Sequence, residues 1–129
     1  MTTFVCVGNM KKPFFRLVDI INQHSKILPK PIIFQHGHTP IAIRNYFDVE
    51  FFEFFNSVEF NQYIQNATLC IGHAGAGFVS TCLLHQKQPM LLARKKQFDE
   101  HIDDHQVEFS NYLFQERIAY EFSTNNLIE

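Results

Sequence analysis

The chain has 129 residues, 46% hydrophobic and 19% charged, the make-up of one soluble globular domain large enough to bury a core. A formal net charge of −2 gives no electrostatic case for nucleic acid as a partner, and no apolar run approaches the roughly 18 residues a membrane span needs. Cys6, Cys70 and Cys82 lie in apolar runs without a CxxC spacing, which reads as reduced core thiols of a cytoplasmic protein.

The opening "MTTFVCV" has no basic region of the signal-peptide kind and leads directly into a strand, "TFVCV", that ends at Gly8-Asn9. Pro13 suits the first turn of a helix, and Phe14, Leu17, Val18 and Ile21 follow at helical spacing. "KPIIFQHG" is a second strand, with Pro31 at its entrance and Gly37 at its exit. "IRNYFDVEFF" reads as strand from its aromatics, while the overlapping "VEFFEFFNSVEFNQYI" also has helical character, and both readings stay open. Ser57 is placed to cap a short helix carrying Phe60, Tyr63 and Ile64. "TLCIG" is a strand, and Phe78, Val79, Cys82 and Leu83 make a nearly all-apolar helix. "PMLLA" is the next strand, Asp103 or Asp104 caps a helix through about Arg117, and "IAYEF" closes as a short strand.

Alternation of strands and helices in this order predicts an α/β domain over residues 1–129. Its sheet should be Rossmann-like and mainly parallel, with helices on both faces. Ligands of such sheets bind outside the carboxyl ends of the strands. Gly8-Asn9, Gln35-His36-Gly37, His73 to Gly77, and Arg94 to Gln106 should therefore share one edge.

Within "GHAGAG", Gly75 and Gly77 leave backbone amides uncovered and the next helix points its positive end back at the loop, an arrangement that suits a diphosphate. The alternative is a glycine turn that only joins strand to helix, since the loop is neither a P-loop nor GxGxxG. His73 could donate to a ligand oxygen. Further on, Arg94, Lys95 and Lys96 could balance phosphate charge, or form a solvated face. Glu100 could accept from sugar hydroxyls, and His105 and Gln106 would sit in a helix's first turn. For Gln106 the competing reading is a capping box, Asp103-x-x-Gln106. His101 and His105 at i, i+4 suggest a metal pair, but spacing identifies no third ligand. No metal site is assigned.

"IGHAGAGFVSTCLLHQKQPMLLARKKQFDEHIDDHQVEF" resembles the C-terminal domain of family 28 glycosyltransferases, in particular the short subunit of two-chain (PssE-like) exopolysaccharide enzymes. It is also similar to the small catalytic subunit of the dolichol-linked GlcNAc transferase. The resemblance extends over nearly the whole chain and implies the donor-binding half of a GT-B enzyme. It implies a UDP-sugar donor, a lipid-linked saccharide acceptor and no cofactor. A membrane-associated, PssD-like partner would supply the acceptor half and the general base, and would hold this chain at the inner face of the membrane. Position by position, it puts His73, Gly75 and Gly77 at the donor diphosphate and Glu100, His105 and Gln106 by the donor sugar and ribose; Gly8, Asn9, Ala74, Ala76, Arg94 and Lys95, on the same edge, complete the expected donor-binding set. This sequence departs from the family where it has Thr81 in place of a ribose-binding carboxylate, Asn9 in place of Thr, and Ala93 in place of Pro. Part of the Phe-rich stretch from Phe51 to Phe60 is the expected partner surface.

Overall fold

The structure, a computed structural model, describes residues 2–41 and 48–123; the first part of the ambiguous stretch, residues 43–47, lies outside them. Strands β1 (Thr3–Cys6), β2 (Ile32–Gln35), β3 (Val49–Phe52), β4 (Leu69–Gly72), β5 (Met90–Leu91) and β6 (Tyr120–Glu121) alternate with helices α1 (Phe15–His24), α2 (Ser57–Asn66), α3 (Ala76–Leu84) and α4 (His105–Gln115). All pairings are parallel, in the order β3-β2-β1-β4-β5-β6. The chain builds outward from β1 in one direction, then crosses back to β4 and continues in the other. The strand order thus reverses between β1 and β4, where a crevice opens in sheets of this type.

Both faces of the sheet are covered, which is why the central strands read as continuous apolar runs rather than alternating ones. On one face Phe4, Ile33 and Cys70, neighbours in register, pack with Ile64 of α2, Phe78, Val79 and Cys82 of α3, and Leu113 of α4. On the other, Val5, Ile32, Phe34 and Ile71 pack with Leu17, Val18 and Ile21 of α1. A fully buried side chain of this size contributes about 1.5–3 kcal/mol, so this two-sided core fixes the strand ends firmly.

Several local expectations shift. α1 begins at Phe15, so Pro13 precedes the helix, and the Phe14 N–H donates to Thr39 Oγ1 at 3.0 Å. α2 is capped by Asn56, not Ser57: Asn56 Oδ1 accepts from the Glu59 N–H at 2.8 Å, and Glu59 Oε1 accepts from the Asn56 N–H at 3.3 Å. The Phe-rich stretch is outward only in part. Phe52, Phe55 and Phe60 turn inward with Tyr63 around the buried Phe4, with the Phe4 and Phe60 rings edge-to-face at 5.6 Å. Phe54 and Val58 are the exposed apolar side chains of that stretch. All three cysteines are free and buried.

Candidate functional site

A cleft of about 450 Å³ opens at the β1/β4 switch point, a size suited to a small ligand. Gly8 and Asn9, following β1, form one wall; His73, Gly75, Ala76 and Gly77, following β4, form the other. Gln35 at the end of β2, Cys6, Phe60, Phe78 and Thr81 complete it. Helix α3 starts here from Gly75 with no side-chain cap, so its first amides point their positive end into the cleft. Glycine is required at Gly8, where φ is +84° and a Cβ would fall 2.5 Å from the His73 ring. A Cβ at Gly75 would strike the same ring, whereas one at Gly77 would meet nothing within 4 Å.

His73 is almost fully buried. Its Nδ1 lies 3.1 Å from Gln106 Nε2, while Gln106 Oε1 accepts from the backbone N–H of Ala74 at 3.2 Å and of Arg94 at 3.1 Å. Burial, helped by the nearby Arg94 and His101, draws the His73 ring down to about 3, so it is neutral at physiological pH. Gln106 therefore stands behind His73 and does not line the cleft. The capping-box reading also fails: α4 has Asp104 at its N-cap without a side-chain bond, and Asp103 Oδ1 accepts from the His105 N–H at 3.0 Å.

The basic stretch is placed differently from the expectation that it faces phosphate. Arg94 is fully buried and outside the cleft, donating to the carbonyls of Val7, Lys12 and Glu100. Burial lowers its pKa to about 10 against the opposing pull of Glu100, so it remains a cation that ties the loop after β1 to the loop after β5. Glu100, 3% exposed, is gripped by Arg16 through two hydrogen bonds of 2.9 and 2.8 Å and accepts from the Lys95 N–H at 3.0 Å. With these partners, Glu100 is removed from the cleft. Lys95 lies outside it as well, beside the Phe98 ring. Ala74 is a core residue whose N–H is held by Gln106. His105 is largely exposed and paired with Asp103 at 3.2 Å.

Asp103 also contacts His101 at 3.0 Å. His101 precedes α4 and His105 opens it, so their i, i+4 spacing does not place them on one helix face. Among the described residues no group of three His, Cys, Asp or Glu could hold a metal. None of their helices is long and apolar enough to cross a membrane.

Gln35 was expected on the ligand edge but given no role there, and it lines the cleft; Arg16 was not among the expected site residues. Gln35 was visible as a polar residue ending the apolar run "PIIF"; it is 6% exposed, and its Oε1 has no partner among the described residues. Arg16 carried no signal, because its partner Glu100 lies 84 positions away.

A parallel sheet that reverses order at β1/β4, with glycine loops and an uncapped helix start at the reversal, defines a Rossmann-like α/β domain of the kind found in GT-B glycosyltransferases. Residues 3–129 match the glycosyltransferase family 28 C-terminal domain, and the chain belongs to that family. It is 31% identical over 107 residues to the UDP-N-acetylglucosamine transferase subunit ALG13 of Candida albicans, covering 79% of this chain and 35% of that protein. The chain thus spans about a third of this curated relative. Its fold is similar to that of the glycotransferase of kitacinnamycin, with a TM-score of 0.71 at 14% identity over 96% of this chain and 30% of the other.

Proposed function

We propose that the chain is the UDP-sugar-binding subunit of a two-chain inverting hexosyltransferase. Its acceptor would be a lipid-linked saccharide in exopolysaccharide or capsule synthesis. A PssD-like partner would bring the acceptor and the general base and hold this chain at the inner membrane face. Family membership across residues 3–129 supports the transferase reading, and the relative described as a transferase subunit supports a two-chain enzyme.

The observation that carries the proposal is the chemistry of the cleft. The uncapped amides of α3 and His73 suit the diphosphate, and Phe60 and Phe78 offer apolar surface to a base. Leaving-group charge would be met by fixed N–H dipoles. Among the described residues the same cleft offers no working base. Cys6 is pushed up to about 12 by burial, and His73 is neutral with Nδ1 already engaged. A base must come from elsewhere to take the acceptor's proton.

Co-purified chain and partner should transfer sugar from a UDP-hexose to a lipid-linked acceptor, with each chain inactive alone. Robust transfer by this chain alone would refute the division of labour. A second reading, a nucleotide-sugar-binding module without transfer, draws on the same lack of a base. It would be favoured by UDP-sugar binding that yields no transfer beside the partner.

A further inference from the structure

We propose that Gln106 is a positioning residue that fixes His73 as its Nε2–H tautomer, so that a neutral N–H donor faces an anionic oxygen in the β1/β4 cleft. The anion rests on the nucleotide reading above; the tautomer does not.

The assignment follows from hydrogen-bond polarity. Two backbone N–H groups, those of Ala74 and Arg94, converge on one atom of the Gln106 amide at 3.2 and 3.1 Å. An N–H can only donate, so that atom is the carbonyl Oε1, and the opposite orientation would set an NH₂ against two donors. Nε2 is then the atom at 3.1 Å from His73 Nδ1. It too can only donate, so Nδ1 must carry a lone pair. A neutral imidazole with a bare Nδ1 has its proton on Nε2.

The Cε1–Nε2 edge of the ring lies against Gly8 and Gly75, both walls of the cleft. Among the described residues, no hydrogen-bond partner meets Nε2. The charged or titratable groups acting on the ring are Arg94 and His101, and both, like burial, disfavour a second proton.

One amide thus joins the loop after β4, the loop after β5 and the first turn of α4, and sets the polarity of the ring between them. Both lone-pair directions of Oε1 and one N–H of Nε2 are occupied, and the side chain is nearly fully buried. Gln106 acts through His73 rather than on a ligand. A preset neutral donor needs no proton uptake when an anion arrives, and would complement the amides of α3 on the same oxygen cluster.

Long-range ¹H–¹⁵N correlation of the histidine-labelled chain reads the tautomer directly. The parent should show His73 protonated at Nε2. Gln106→Glu keeps an acceptor for the Ala74 and Arg94 N–H groups but replaces the donor to His73 by an oxygen. His73 should then move its proton to Nδ1, and the Kd for UDP and for pyrophosphate should rise at least about tenfold, as for a lost hydrogen bond to a charged group. A role confined to holding the two backbone amides would leave both readouts unmoved. An Nδ1–H ring in the parent would overturn the inference, and so would a switched tautomer with unchanged binding. If Gln106→Glu does not fold, the parent spectrum still decides. A parent that is Nε2–H yet binds no UDP would count against the nucleotide reading while upholding the tautomer.

Discussion

Gly77→Asp separates ligand binding from folding better than any change at Gly75, where a side chain would collide with His73. Gly77 is the second residue of α3, and a Cβ there meets nothing within 4 Å. The new carboxylate sits at the positive end of an uncapped helix, which is favourable by about 0.3–1 kcal/mol, and removing glycine from a helix adds to the same side. The protein should therefore unfold at slightly higher urea.

A diphosphate bound by the same amides would meet that carboxylate at close range. Two unit charges about 4 Å apart repel by about 1 kcal/mol in water and about 4 kcal/mol at an effective dielectric of 20. UDP affinity should fall by about fivefold to several hundredfold, while uridine, which carries no phosphate, should bind nearly as before. Calorimetric titration of both ligands, beside a urea melt, makes the comparison. A folded Gly77→Asp protein that binds UDP as tightly as the parent would show that the α3 terminus holds no phosphate.

Arg94→Ala strands the carbonyls of Val7, Lys12 and Glu100; it should cost at least about 3 kcal/mol of stability in a urea melt, and a near-neutral result would refute its clamping role. His73 is held at about 3 when folded and is expected near 6.5 unfolded. Below pH 6.5 the unfolded state binds the extra proton, so the stability its neutral form confers is complete above that pH and is lost as pH falls toward 3, by about 1.4 kcal/mol per unit. Unfolding at pH 7.5 and 5 should show this slope reduced in His73→Asn, and an unchanged slope would contradict it. Gln35→Met removes a buried acceptor with no partner among the described residues; it should raise stability by about 1 kcal/mol and weaken UDP binding if the ligand supplies the missing donor, with loss of stability as the contrary result.

The architecture was legible because its signals are local: apolar runs of strand length, helical spacing from Phe14 to Ile21, and glycines at the strand ends. The same logic located Gly8, Asn9, His73, Gly75, Ala76 and Gly77 around one cleft. What failed was orientation beyond the strand ends. Nothing in "ARKKQFDEHIDDHQ" says that Arg94 runs back under the sheet edge to carbonyls 82 and 87 positions away, or that Glu100 meets Arg16. A charged residue near a ligand edge reads as a ligand contact unless its distant partners are known. Gln106 misled in a different way, because its match to the capping-box pattern and its proximity to the site were both genuine, yet its partners are His73, Ala74 and Arg94. The inward Phe52, Phe55 and Phe60 likewise depend on Phe4, 48 to 56 residues earlier.

Titrating UDP into the ¹⁵N-labelled chain and following the backbone amides tests the central claim most directly. With half a cleft, affinity should be about millimolar, roughly −4 kcal/mol. Saturating shifts should concentrate at Gly8, Asn9, Ala76, Gly77 and Phe78, where β1 and β4 meet α3. No saturable shifts, with the partner present as well as absent, or shifts centred on the hollow between Phe15, Arg16 and Phe98, would contradict the assignment of the β1/β4 cleft to a nucleotide-sugar donor.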